Sequence, residues 1–203
     1  MPTLTTPFAL DAYLGRSPWI DHDHPAIEAR AAELCARAHG EVEAAREAYR
    51  FVRDGIAHSM DVQERRVTAS ASEVLIQGHG ICYAKSHLLA ALLRAMGIPA
   101  GLCYQRLAAG DRPEDGHVLH GLNALYLARA GGWIRVDARG NKAGIDAQFA
   151  VDAERLAFPV REAWGERDYR VILPGPPAAV VDVLRRFDDA VEMCHTGLPA
   201  ALD

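Results

Sequence analysis

Helical periodicity governs the first half of the chain, and runs of strand character govern most of the second. Across 41–54, Val42, Ala45, Tyr49 and Val52 fall on one stripe, which predicts an amphipathic helix stopped by Gly55. An earlier helix is predicted over 26–38, with Asp23 or His24 as its cap, Pro25 in its first turn and His39-Gly40 as its end. The chain before about Ile20 reads as irregular. After a polar connection, 69–75 reads as a short helical turn. From about Ile81, residues Leu88, Leu89, Leu92, Leu93 and Met96 make a helix apolar around most of its circumference, ended by Gly97 and Pro99. A helix of that kind is covered on every side. Strands are then predicted over 101–107, 118–127, 133–137 and 169–173, with a polar loop over 108–116 and a hairpin signal at Gly131-Gly132. Pro174 to Pro177 breaks the chain before a last amphipathic helix over 178–194. Helices first and antiparallel strands afterwards predict an α+β fold, in which a central buried helix packs against an antiparallel sheet.

Composition narrows the function classes. With 203 residues the chain is long enough for one substantial core. Lys and Arg number 22 against 27 Asp and Glu, a net charge of −5 with no basic block, which argues against a nucleic-acid partner. No basic stretch followed by a long apolar one opens the chain, and no later run approaches a membrane span, so the expectation is a cytoplasmic protein without a membrane partner. Cys35, Cys82, Cys103 and Cys194 are widely separated and form no CxxC or zinc spacing, so neither a disulfide framework nor a structural metal is expected. His22, Asp23 and His24 suggest a metal cluster only superficially, since helix capping accounts for them.

The candidate chemistry begins at Cys82, which follows a glycine-loosened turn (Gly78, Gly80) at the mouth of the central helix. The first amides of a helix lack partners and carry the positive end of its dipole, so a thiol there is favoured as its thiolate. The same residue reads equally well as a small buried side chain starting a core helix. A nucleophilic thiol needs a base, and the base needs an orienting acceptor. The predicted hairpin carries one of each, His120 on its first strand and Asp137 on its second, directly opposite or offset by a few residues. Taken singly, His120 would be a hydrogen-bonded core histidine and Asp137 a solvated strand end.

Other histidines compete for the role of base. His87 lies five residues beyond Cys82, roughly 140° around a helix, and faces away from the thiol. His117 and Asn123 lie an odd number of residues from His120 and so fall on the opposite strand face. His79 sits on the lead-in without an acidic partner in view, and His58 remains a competitor that could merely cap or pack. Cys35, Cys103 and Cys194 read as structural.

With these residues in place the chain resembles the transglutaminase-like superfamily, a circularly rearranged relative of papain-type cysteine hydrolases. The matching pieces are Phe51 to Ile56, Ser72 to Leu75, Gly80-Ile81-Cys82, Leu88 to Arg94, Gly97-Ile98-Pro99, His120 with Asn123 and Tyr126, and Trp133 to Asp137. The resemblance implies a single domain over 1–203 with its core motifs within about 51–149. It also implies a Cys82 nucleophile, a His120 base and an Asp137 orienter. Gln77 would add an oxyanion donor, as an upstream glutamine does in papain-like enzymes, although its spacing differs by one residue and it reads otherwise as a solvated loop amide. The chain departs from the family at Leu122 and Ala124, where tryptophan and glutamate are frequent, and at Ala138-Arg139, where Pro-Thr often follows the aspartate.

The activity expected is acyl transfer through a thioester. Cys82 attacks a carboxamide in a peptide, a protein or a small amide, and His120 protonates the departing amine, with no cofactor or metal required. Water or an amine would then take the acyl group. Two other classes compete: a binding module that has lost the chemistry, with a blocked cleft or a Cys82 out of contact with histidine, and a redox-sensing thiol, for which the sequence offers no resolving cysteine. The loops over 108–116 and 140–149 flank the hairpin and are the expected walls of a cleft.

Overall fold

The computed structural model describes residues 3–202. Helix α1 (Pro25–Cys35) starts as its sequence dictates, with Pro25 in the first turn and His24 Nδ1 accepting from the Ala26 amide at 3.2 Å. Helix α2 (Glu41–Gly55) follows, with Ala45, Tyr49 and Val52 buried on the expected stripe. The polar connection after it holds more order than its sequence suggests: a two-residue strand β1 (Ala57–His58) and a single helical turn α3 (Ser59–Val62). Helix α4 (Ala71–Gln77) opens on a capping box in which the Ser70 hydroxyl accepts from the Glu73 amide and the Glu73 carboxylate accepts from the Ser70 amide. Strand β2 (His79–Gly80) pairs in parallel with β1 and leads into helix α5 (Cys82–Ala95).

Every residue of α5 from Cys82 to Arg94 is buried, as expected of a helix apolar around its circumference. Its few polar side chains find backbone partners: Lys85 Nζ donates to Ile56 O at 2.5 Å, and Arg94 donates to Gly15 O, Ala100 O and Pro174 O. The second half of the chain forms an antiparallel sheet of β3 (Ala100–Ala108), β4 (His117–Leu127), β5 (Gly132–Val136) and β6 (Arg167–Leu173), in the order β5-β4-β3-β6. Helices α6 (Ala178–Arg186) and α7 (Ala190–Thr196) close the chain. The fold is therefore α+β, with α5 lodged between the other helices and one face of the sheet. None of the helices among the described residues is long and apolar enough to cross a membrane.

Three further details differ from the sequence-based expectations. The N-terminal segment is not wholly irregular: Leu10–Leu14 forms a 3-10 turn, and the buried Tyr13 donates its hydroxyl to Ile172 O at 2.9 Å. The final helix is two, because the chain becomes extended at Phe187 and Asp189 starts a new helix by accepting from the Val191 and Glu192 amides. The hairpin turn occupies Ala128 to Gly131, and the register pairs Asn123 with Val136 and Leu127 with Gly132.

That register leaves the His117 to Leu122 half of β4 without β5 beside it, and there the Leu119 amide donates to Pro199 O at 2.7 Å while the mouth of α5 packs against the strand. The approach depends on Gly121, where an added Cβ would lie 2.9 Å from Tyr83 Cδ1 and 3.4 Å from Tyr83 Cα. Tyr83 then donates its hydroxyl to Leu119 O at 2.7 Å, fastening the first turn of α5 to β4. Gly121→Ala should therefore lower stability by about 1–3 kcal/mol through overpacking. A urea midpoint unchanged from the unsubstituted protein would show that this close approach is not a constraint.

Candidate active site

Three elements carry the predicted trio, of which His120 and Asp137 are hydrogen-bonded and Cys82 and His120 line one cavity. Cys82 is the first residue of α5, His120 lies on the half of β4 that β5 does not pair, and Asp137 follows directly on β5. Strand alternation sends Asn123 to the α5 side, where Nδ2 donates to Ser86 O at 2.9 Å, and leaves His120 on the other face with Leu122. Carried onward, the β4–β5 register would set Arg139 opposite His120. The chain leaves the strand after Val136 instead, and Asp137 turns toward the ring, its Oδ2 2.7 Å from His120 Nε2.

Asp137 is 0 % exposed, and such a carboxylate survives only with its oxygens satisfied. Oδ2 accepts from the His120 ring and from the Ala157 amide at 3.2 Å, and Oδ1 accepts from the Arg139 amide at 3.0 Å. Burial alone would raise its pKa, but the His120 charge, the ring hydrogen bond and the two amides outweigh that and hold it below the usual carboxylate value. For His120, burial pulls the other way; Asp137 first and then Cys82 overcome it, so the imidazolium is favoured well above its ordinary pKa. Since Nε2 is committed to Asp137, Nδ1 is the nitrogen left to serve the thiol. Phe158 packs edge-on against the ring with centroids 5.0 Å apart, fixing its plane.

Cys82 and His120 line a common cavity of about 650 Å³. Its walls include Ala108 to Asp111 from the loop flagged in the sequence, Leu119 beside the histidine, Phe158, and Leu198 from the segment after α7. Arg139, Lys142, Arg161 and Glu166 add charge to the lining. Of the 140–149 stretch only Lys142 lines it, so this segment is a wall at one end only. Gln77 does not reach the cleft. It is the exposed last residue of α4, and Gly78, in the left-handed conformation, turns the chain into β2 before α5 begins.

The competing side chains are accounted for. His79 pairs through Nδ1 with Ser59 Oγ at 3.1 Å, His87 is buried against Ala69 O at 2.8 Å, and His117 lies between Arg106 and Trp164 O. His58 stands near His120, but burial and then the Arg139 charge push its pKa well below the ordinary imidazole value and keep it neutral. Burial pushes the Cys103 thiol up to about 12, and burial followed by the nearby Cys82 does the same to Cys194, so both stay protonated. No group of three or more His, Cys, Asp or Glu among the described residues could hold a metal.

Several contributors had no sequence signal. Asp61, on the one-turn helix α3, accepts two hydrogen bonds from Arg139 at 2.7 and 3.0 Å and one from Lys142 at 2.7 Å. Arg135, two residues before Asp137, is buried between Glu154 and Asp168, with four contacts of 2.7–2.8 Å. By holding Glu154 it fixes the segment that delivers the Ala157 amide and the Phe158 ring.

Comparison with known proteins agrees with this architecture. A model of the transglutaminase-like superfamily matches residues 28–138, more than half of the chain. No curated protein matches the chain in sequence. Among solved structures, a candidate cysteine protease from Cytophaga hutchinsonii is similar with a TM-score of 0.53 at 19 % identity, covering 64 % of this chain and 42 % of that one. A candidate protease from Parabacteroides distasonis aligns with a TM-score of 0.39 at 16 % identity, over 74 % of this chain and 30 % of that one. A structure described as a TGase gives 0.40 at 16 % identity, over 90 % and 52 % respectively. The chain thus spans between about a third and a half of the length of these proteins, and at such identities the likeness is one of fold.

The histidine–aspartate pair sets a pH window for stability. His120 has its pKa raised on folding, so its contribution is complete below the unfolded value of 6.5 and is lost as pH rises through the folded one. Asp137 has its pKa lowered, so its contribution is complete above 3.8 and is lost as pH falls through the folded one. The stability lost in Asp137→Asn should therefore be greatest between pH 3.8 and 6.5 and smaller on either side. Denaturation midpoints across that range, with NMR titration of the His120 ring, test this. A ring that titrates at an unchanged pH in Asp137→Asn would overturn the pairing.

Proposed function

Because the chain belongs to the transglutaminase-like superfamily, we propose that it is a cysteine-dependent acyl-transfer enzyme acting on carboxamides, with Cys82, His120 and Asp137 as its catalytic residues. The observation that carries this reading is that Cys82 and His120 line one cavity large enough for a substrate segment, while the buried Asp137 carboxylate holds the His120 ring from behind at 2.7 Å. His120 Nδ1 takes the thiol proton, and the Cys82 sulfur attacks the carbonyl carbon. Asp137 holds the ring with Nε2–H toward itself and stabilises the imidazolium. Collapse of the tetrahedral intermediate returns the proton from His120 to the leaving amine and leaves a thioester, which water or an amine then opens.

The developing oxyanion falls to the first turn of α5. Ile81 at its N-cap carries no side-chain acceptor, so no side chain caps the leading amides, and the Cys82 amide is the donor next to the reacting sulfur. An accessible cavity lined by both Cys82 and His120 weighs against a binding module that has lost the chemistry. Peptides, protein side chains and small amides all satisfy the bond chemistry, so the substrate is assigned here only as a carboxamide.

Alkylation at Cys82 by iodoacetamide, followed by peptide mass spectrometry, should proceed at pH 7 about tenfold or more faster than for a free cysteine, and His120→Ala should abolish that advantage. Ammonia release from a glutamine-containing peptide should vanish in Cys82→Ala and fall by about 10²–10⁴ in Asp137→Asn. An ordinary alkylation rate that is indifferent to His120→Ala would overturn the assignment.

A further inference from the structure

The charged groups around the cleft are arranged unevenly. Glu166, whose side chain is 0 % exposed, is consumed by the Arg161 guanidinium and by the Ala108 and Arg161 amides. Asp61 is likewise consumed, accepting from both Arg139 and Lys142. The partner cations remain accessible: the Lys142 side chain is 48 % exposed and that of Arg161 is 45 % exposed. An ammonium has three donors and a guanidinium five. Lys142 uses one on Asp61, and Arg161 uses those of Nε and Nη2 on Glu166, so both have donors to spare. Stacking of the Arg161 guanidinium 3.7 Å over the Trp164 ring fixes its position without using a donor. The remaining lining acid, Asp111, lies on the exposed loop after β3. Glu166 is therefore a buried anchor and Asp61 a partner shared by two cations, while Lys142 and Arg161 keep donors to spare on the wall of the cavity that Cys82 also lines, in a chain whose net charge is −5.

We propose that the cleft takes an acyl donor bearing a carboxylate beside the scissile carboxamide, as in a glutamine flanked by an acidic residue, with Lys142 and Arg161 binding that carboxylate. This deepens, and rests on, the assignment of Cys82 as the acyl-accepting thiol. A carboxylate fits because each cation already has a protein counter-ion and offers supplementary donors rather than a bare charge. The cations bind and orient; they take no part in bond making.

Two measurements decide it. The first is the rate of Cys82 modification by anionic iodoacetate relative to neutral iodoacetamide, read at the Cys82 peptide. Lys142→Glu and Arg161→Gln should each lower that ratio by about three- to tenfold, the Boltzmann weight of removing one to two charges from a water-exposed cleft. Dividing by the iodoacetamide rate cancels any change in thiol reactivity. The second is binding of a fluorescent Gln-Glu peptide and its Gln-Lys counterpart to Cys82→Ala, by anisotropy. The acidic peptide should bind several-fold tighter, and Lys142→Glu should erase or invert that preference. An unchanged reagent ratio in both variants, or equal binding of the two peptides, overturns the proposal. Slow modification by both reagents in the unsubstituted protein would instead count against the acyl-transfer reading, while the ratio and the peptide preference would still decide the charge inference.

Discussion

Burying the Asp137 carboxylate with no water contact is the constraint to which the rest of the site answers. Left unpaired, a buried carboxylate would cost several kcal/mol or take up a proton. The chain avoids both outcomes with one ring nitrogen and two backbone amides, contributed by three different segments. Each donor must therefore be held in place independently. His120 is set by the β4 register and by Phe158, the Arg139 amide by the turn that follows β5, and the Ala157 amide by the Arg135–Glu154 clamp. Order at the site is in this sense a consequence of desolvation. Once the carboxylate is dry, any loop that fails to deliver its donor exposes the whole cost.

The second constraint is steric. A helix mouth can reach a histidine on the far face of a sheet only where the sheet stops, and the short β5 provides that stop by pairing with the distal half of β4 alone. Gly121 removes the one side chain that would keep α5 at a distance, and the Tyr83 hydroxyl holds the contact closed. Stability and the proposed chemistry share these atoms, since the packing that anchors α5 also brings Cys82 to the cavity that His120 lines.

The parts of this arrangement legible in the sequence are those governed by period and parity. The apolar character of α5 around most of its circumference predicts a buried helix, and parity along β4 separates His120 from His117 and Asn123. What escaped has physical reasons too. Strand β1 and helix α3 are too short to carry a period, so the segment holding Asp61 looked like polar connection. The break at Phe187 to Asp189 interrupts an amphipathic pattern that stays in phase across it, and only the Asp189 cap marks the second start. The proposed oxyanion role of Gln77 followed a spacing in sequence, but the left-handed turn at Gly78 takes the backbone elsewhere. Ion pairs such as Arg139 with Asp61 join residues 78 positions apart, and nothing local in either segment encodes the other.

Arg139 shows why the departure from the family pattern after the aspartate bears on function. A residue at this position has two separable outputs. Its backbone amide supports Asp137, which a residue of almost any type other than proline can do, while its side chain is free to be specialised. Here the side chain is a guanidinium that grips Asp61 in a two-pronged contact, and Asp61 in turn holds the Lys142 ammonium at the cleft. The His120–Asp137 pair and the charged rim are thus joined through a single residue. The amide half meets the requirement of the buried carboxylate, and the side-chain half sets the electrostatic character of the wall. A chain with a neutral residue here could keep the His120–Asp137 pair and still lose the fixed position of Lys142, because Asp61 would no longer be held by a guanidinium. The charge of the wall can in this way vary independently of the proposed bond-making groups, on a fold whose buried carboxylate stays in place.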